Sequence, residues 1–331
     1  MRHFSAPSRL LTADFCRHRL TLVKNSTSIH FMAKTRLNGS MTSSMPKKMT
    51  LDGFRAAMDA GRKLAMLTCY DFTTAKLLER AGIQLLLVGD SAANTILGYE
   101  NTLPISQDFL IEITRAVRRG APNSFVMADL PFGSFSTRSQ GIRNAVKFIK
   151  ETGADSIKIE CTRGHLGLIQ GLADAGVAVF AHLGLTPQRV GLIGGYKTQG
   201  KTAHDALMIA DLAADLVNSG AAGILLETVP PQVSELICGH LDVPVIGCGA
   251  GPACHAHVVV LHDLLGLSER NPKFAPNLGD GGAAIIKAAE RYASDIVSEE
   301  YPKPAHCYEM PKDELAELKQ QVKHWNGDVD E

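Results

Sequence analysis

The chain has 331 residues, 45% of them hydrophobic, enough for one large α/β domain. Its 34 Lys+Arg balance 34 Asp+Glu, but residues 1–50 hold nine of the bases and one acid, Asp14, leaving 25 bases against 33 acids, net −8, in the remainder. An acidic body excludes a nucleic-acid scaffold, whose footprint is a basic face, and no apolar run reaches the roughly 18 residues of a membrane span. The seven cysteines are scattered, with no Cys-x-x-Cys pair, and read as reduced, mostly buried thiols.

Residues 1–49 are rich in Arg, Lys, Ser and Thr and poor in acid. That composition predicts an organelle transit peptide, most simply mitochondrial. No compact apolar core of about 7–15 residues follows the first arginines, which argues against a secretory signal. The folded domain is therefore expected over 50–331, with 1–49 as a disordered basic presequence.

Thr50 caps a short helix through Leu51, Phe54, Ala57 and Met58, stopped at Gly61. A first strand over 63–70 runs into Asp71, and a helix over 73–81 ends at Gly82. Leu85-Leu86-Leu87-Val88 suits a strand buried on both faces, and it stops at Gly89-Asp90-Ser91. A loop over 98–104 and a helix over 108–119 precede the third strand, 125–128, which meets Asp129 and then Pro131 and Gly133. After a helix over 141–152, the fourth strand carries Lys158 and Glu160, two apart and so on one side of the pleat. A helix over 166–175 leads to a strand ending at His182, and a glycine-rich loop spans 194–201. A helix over 203–219 leads to a strand ending at Glu227. The seventh strand, 243–247, runs into Gly249-Ala250-Gly251; the eighth, 258–261, into His262-Asp263. An amphipathic helix over 283–299 and a charged one over 311–325 follow, to pack outside the barrel or on a neighbouring subunit.

Eight strands alternating with helices predict a single (β/α)₈ TIM barrel with extra C-terminal helices, rather than an open doubly wound sheet. Its polar strand ends gather at the C-terminal mouth. Asp90, Asp129 and Glu160 offer hard oxygen ligands suited to Mg²⁺. Singly, each acid also suits a helix cap; together, like charges on neighbouring strand ends call for a cation. Lys158 is placed to hold a substrate carboxylate, to stabilise an enolate oxygen or to pair with the acids. Ser91 is a donor to the same carboxylate. Glu227, beside Leu225, Leu226 and Val229, suits a general base or a structural ion pair, its pKa raised by apolar neighbours in the first case. His182 orients substrate, shuttles a proton or is structural. Gly247-Cys248-Gly249-Ala250-Gly251 lacks the dinucleotide fingerprint, and Cys254-His255-Ala256-His257 is a poor soft-metal set.

Over residues 48–300 the chain resembles ketopantoate hydroxymethyltransferases. The resemblance is carried, in order, by MLTCYDFTTAKLLERAG, LLLVGDS, LGYENTLP, TRAVRRGAPN, MADLPFGS, GADSIKIE, HLGLTPQ, GGYKTQGK, LLETVP, IGCGAGP and VLHDLLGL. It implies Mg²⁺ held by Asp90, Asp129 and Glu160, a 2-oxo acid contacted by Asp90, Ser91, Asp129 and Lys158, and Glu227 as proton acceptor. It also implies 5,10-methylenetetrahydrofolate as one-carbon donor to 3-methyl-2-oxobutanoate, and a decamer-like, ring-stacked homo-oligomer. His255-Ala256-His257 stands where the family reads Asp-Gly-Gln, and Ala92-Ala93-Asn94 where it reads Leu-Gly-Met. The alternative from another class is a Mg²⁺-dependent lyase cleaving a C–C bond of a 2-oxo or hydroxy acid on the same barrel.

Overall fold

The computed structural model describes residues 47–325. The expected presequence lies outside the described residues except at its last three positions. There Met49 is buried with its N–H donating to Asn123 O at 2.7 Å, and Lys48 Nζ lies 2.7 Å from Asp155. The barrel therefore packs two residues that the sequence reading leaves with the presequence.

Eight parallel strands close on themselves in chain order: β1 Leu64–Thr68, β2 Leu85–Val88, β3 Phe125–Asp129, β4 Ser156–Glu160, β5 Val179–Gly184, β6 Gly223–Glu227, β7 Val245–Cys248 and β8 Ala256–Val259. The seam pairs Leu64 with Ala256 and Met66 with Val258. The principal helices are α1 Leu51–Asp59, α2 Phe72–Arg80, α3 Gln107–Gly120, α4 Arg138–Thr152, α5 Leu166–Asp174, α6 Ala203–Asn218, α7 Pro231–Cys238, α8 Gly281–Val297 and α9 Lys312–Trp325.

Local chemistry sets these boundaries. Thr50, Asp71, Ser106, Thr137 and Thr202 each accept a backbone N–H three residues on, capping α1, α2, α3, α4 and α6. Each cap contributes about 1 kcal/mol. Asp71, read from sequence as a polar strand end, is spent on such a cap. Gly153 ends α4 at φ 68°, a left-handed turn that glycine adopts without a Cβ clash. β7 starts two residues later than expected, because Pro244 has no N–H for the ladder; its carbonyl still accepts from Ile224 N at 3.0 Å. β8 starts two residues earlier than expected, since Ala256 pairs with Leu64. His262 and Asp263 consequently sit on a helical turn after the strand, opened by Leu261 N donating to Thr68 Oγ1 at 3.0 Å.

Pleat alternation divides the core in two. Outward residues such as Leu86, Val88, Val126, Ile157, Ile159, Ala181 and Leu226 pack under the helices. Inward residues such as Met66, Leu85, Phe125, Met127, Phe180, Leu225 and Ile246 fill the barrel. α1 plugs the N-terminal end: the Phe54 ring stacks on Phe180 at 6.2 Å, and Phe125 meets Phe180 edge-on at 6.3 Å. Full burial of each such ring contributes about 1.5–3 kcal/mol.

β8 also carries His257 outward and exposed, beside an exposed Ala65 on β1. His255 precedes the strand and accepts from Val245 N at 3.0 Å. This departure from the family pattern thus lies at the end of the strand away from the mouth. α8 leaves its apolar face bare, with Ile285 63% and Ile286 59% exposed. The described cysteines are free, and no helix among the described residues is long and apolar enough to cross a membrane.

Candidate active site

The inward column of each strand changes character as it rises. On β3 it reads Phe125, Met127, Asp129; on β4, Ser156, Lys158, Glu160; on β5, Phe180, His182; on β6, Leu225, Glu227. The same period that fills the barrel below thereby delivers charge to the mouth above. Asp90 and Ser91 follow β2 past the Gly89 break. The seven residues expected at the site, Asp90, Ser91, Asp129, Lys158, Glu160, His182 and Glu227, line one cavity of about 800 Å³.

Lys158 is buried with Nζ 2.6 Å from Asp129 Oδ2, and the Asp90 N–H donates to that same oxygen at 3.0 Å. Burial pulls on the Lys158 ammonium, but the charges of Asp129, Asp90 and Glu160 outweigh it and hold its pKa above the usual lysine range. Burial and the adjacent Asp129 charge push Asp90 up to about 7. Burial and the Asp90 charge also raise Glu160 well above the ordinary carboxylate range. One lysine does not neutralise three buried acids.

Sequence reasoning missed Gln188. It is buried, its Nε2 donates to Asp90 Oδ2 at 2.8 Å and Leu130 O at 3.0 Å, and its backbone N–H reaches both Glu160 oxygens at 3.2 and 3.1 Å. The signal was present in Thr186-Pro187-Gln188, where proline opens a 3₁₀ turn that fixes the glutamine backbone. Tyr70 was also missed: its hydroxyl is 2.8 Å from Ser91 Oγ.

Among the described residues no group of three or more His, Cys, Asp and Glu side chains is arranged to hold a metal ion by itself. The three-acid cage implied by the resemblance is thus not preassembled; Gln188 donates to Asp90 Oδ2 and to both Glu160 oxygens, and Lys158 to Asp129 Oδ2. The donor set still fits Mg²⁺, which takes one or two carboxylates and completes its shell with water and substrate oxygens. Asp129 Oδ1 is buried with no hydrogen-bond partner, and burial together with neighbouring acid charge disfavours the ionised forms of Asp90 and Glu160, which a bound cation would stabilise. Cys254, His255 and His257 form no such group either.

Across the mouth, His182 stands between two acids, with Nε2 3.3 Å from Glu227 Oε2 and Nδ1 3.8 Å from Glu160 Oε1, and neither ring nitrogen makes a hydrogen bond. Burial and the Lys158 charge lower its pKa, so the ring is neutral near pH 7. The Glu227 side chain lines the cavity and is 20% exposed. Its backbone is tightly held. Leu185 N donates to Glu227 O at 2.8 Å, and Thr228 sits at φ 49°, an uncommon left-handed conformation for a β-branched residue.

Gly184 supplies the room for this turn: its φ is 91°, and an added Cβ would lie 2.3 Å from Glu227 O. Gly184→Ala should therefore cost at least about 1–2 kcal/mol through the left-handed backbone alone. Thermal melts check this, and a variant as stable as the parent would show that the turn has slack.

Residues 48–304 match the family model for ketopantoate hydroxymethyltransferase. The chain belongs to this family. A 3-methyl-2-oxobutanoate hydroxymethyltransferase of Geobacillus kaustophilus is 42% identical over 78% of this chain and 94% of its own length. One from Koribacter versatilis is 42% identical over 79% and 90%. This family member is accordingly a one-carbon transferase of pantothenate biosynthesis acting on 3-methyl-2-oxobutanoate. Among solved structures, a phosphoenolpyruvate phosphomutase from Streptomyces platensis superposes with a TM-score of 0.54 at 15% identity, covering 84% of this chain and 98% of that one. A phosphonopyruvate hydrolase gives 0.53 at 16%, covering 84% and 98%. At such identities the likeness shows the barrel fold alone.

Proposed function

We propose that the hydroxymethyl unit comes from 5,10-methylenetetrahydrofolate, that Glu227 is the base, and that Asp90, Asp129 and Glu160 hold Mg²⁺. The observation that carries this reading is the split across one cavity: Lys158 fixed among buried carboxylates on one side, and Glu227 open to the cavity on the other. Lys158 spends one N–H on Asp129 and keeps two for the oxo acid's carboxylate or enolate oxygen. Ser91, braced by Tyr70, donates to the same carboxylate. Mg²⁺ held by the three acids would supply Lewis acidity that stabilises the enolate. Glu227 removes the proton from C3 with neutral His182 beside it, C3 bonds to the carrier's methylene carbon as that carbon's bond to one nitrogen breaks, and water replaces the second nitrogen, leaving the hydroxymethyl group and free tetrahydrofolate. In sum, methylenetetrahydrofolate, the oxo acid and one water give tetrahydrofolate and 2-dehydropantoate.

An omission series tests this. With every component present, 2-dehydropantoate and tetrahydrofolate form in equal amounts. Without the carrier, product formation stops while C3 still exchanges with deuterated water. Chelating the metal stops both. Carrier-independent turnover of the oxo acid would sink the transferase reading in favour of the lyase.

We further propose a homo-oligomer, since α8 presents Ile285 and Ile286 to solvent on a single chain. Light scattering that gave the single-chain mass of 35.5 kDa would refute it. Mitochondrial import is proposed on the basic, acid-poor composition of residues 1–49. Its test is the destination of a fluorescent fusion to that segment.

A further inference from the structure

The cavity of about 800 Å³ far exceeds what a small oxo acid fills and lies in the ~300–1,000 Å³ range that holds larger ligands. The site described above uses the ends of β2 to β6. The opposite wall comes from the segment after β8, through His262, Asp263, Ser268, Arg270, Lys273 and Phe274.

That wall is built rather than loose. Asp263 is buried; its Oδ1 accepts from Ser268 Oγ at 2.6 Å, and its carbonyl from Asn271 Nδ2 at 2.8 Å. The Phe274 ring lies directly on Gly249, where an added Cβ would come within 2.5 Å of it. The glycine-rich turn after β7, which the catalytic reading leaves without a role, is thereby the bed for this ring. His262 Nδ1 is buried with no hydrogen-bond partner, an unanswered polar atom in the cavity wall.

Charge divides the two walls as well. Lys158, Arg270 and Lys273 are the cationic side chains lining the cavity. Lys158 is engaged with Asp129, whereas neither Arg270 nor Lys273 forms an ion pair among the described residues. Two unspent cations at an otherwise acidic mouth suit a ligand that ends in two carboxylates.

We propose that residues 262–274 form the subsite for the one-carbon carrier: Arg270 and Lys273 take the carboxylates of its glutamate tail, and His262 and Phe274 flank its ring. The assignment deepens the carrier reading and rests on it. A glutamate carries two carboxylates, one for each cation. Because both contacts sit at a solvent-exposed rim, they set carrier affinity rather than the rate of bond making, and salt weakens them.

The test compares methylenetetrahydrofolate with methylenetetrahydropteroate, which lacks the glutamate, in the parent and in the Arg270→Ser/Lys273→Ser variant. The parent should favour the glutamate-bearing carrier in kcat/KM, with a preference that shrinks as salt is added. In the variant that preference should fall roughly tenfold, as expected for two screened contacts, and lose its salt dependence. Lys273→Glu, a charge reversal at an exposed position, should turn the preference against the tail. A preference unchanged in both variants would overturn the assignment while leaving the carrier reading intact. A parent that exchanges C3 but makes no product from either carrier would overturn both.

Discussion

Glu227→Gln is expected to abolish deuterium exchange at C3 of 3-methyl-2-oxobutanoate while still binding the acid in the presence of Mg²⁺. The substitution keeps the shape of the side chain, and the amide remains beside His182 Nε2, 3.3 Å from the oxygen it replaces. What disappears is the ability to accept a proton. A positioned base contributes on the order of 10²–10⁴ in rate, so exchange and turnover should fall together by that factor. Neutral His182 cannot readily stand in, because burial and the nearby Lys158 charge disfavour its protonated form. Glu227→Asp, which retains the carboxylate but withdraws it by one methylene, should recover part of the exchange. Exchange at the parent rate in the Gln variant would remove Glu227 as the base.

The second large effect is expected at Lys158, and it combines stability with activity. In Lys158→Met, Asp129 loses the ammonium 2.6 Å away and remains buried beside Asp90, with Glu160 close by. Breaking a buried pair by removing one partner costs about 3–5 kcal/mol. In a domain of this size the melting temperature should drop on the order of 5–10 °C. Added Mg²⁺ should raise the Tm of this variant more than that of the parent, because a cation then offsets charge that nothing else does. Lys158→Met/Asp129→Asn removes both partners, so it should recover much of the lost stability while staying inactive. That combination separates the electrostatic role from the chemical one. A single variant as stable as the parent would show that the cluster is not held together by this lysine.

The sequence made the barrel and most of its mouth readable because one physical rule governs both. A strand in a closed parallel barrel alternates between helices outside and packed interior inside, so Lys158 and Glu160, two apart, had to share a direction. The unbroken aliphatic run at β2 left little choice of element or boundary. The rule failed where a strand face is uncovered. His257 on β8 points outward and is exposed, so the apolar run begins two residues after the strand itself does. It also failed for residues whose partners are remote in sequence. Gln188 acquires its role from Asp90, 98 residues earlier, and spacing encodes nothing about that meeting. The same holds for the acids. Position showed that Asp90, Asp129 and Glu160 converge on one cavity, but not how many of their lone pairs Gln188 and Lys158 already use.

The seam between β1 and β8 bears on how the chain must be made. Leu64 pairs with Ala256, and Lys63 Nζ donates to Cys254 O at 2.6 Å across 191 residues. No such contact can form until translation has passed residue 256, so a nascent or truncated chain carries an open sheet with two unpaired edges. Edges of that kind recruit other chains, and contacts of such long sequence separation form late. A ribosome-bound chain therefore exposes these edges over most of its synthesis. A stop codon before the last stave is expected to yield aggregate rather than a weaker enzyme.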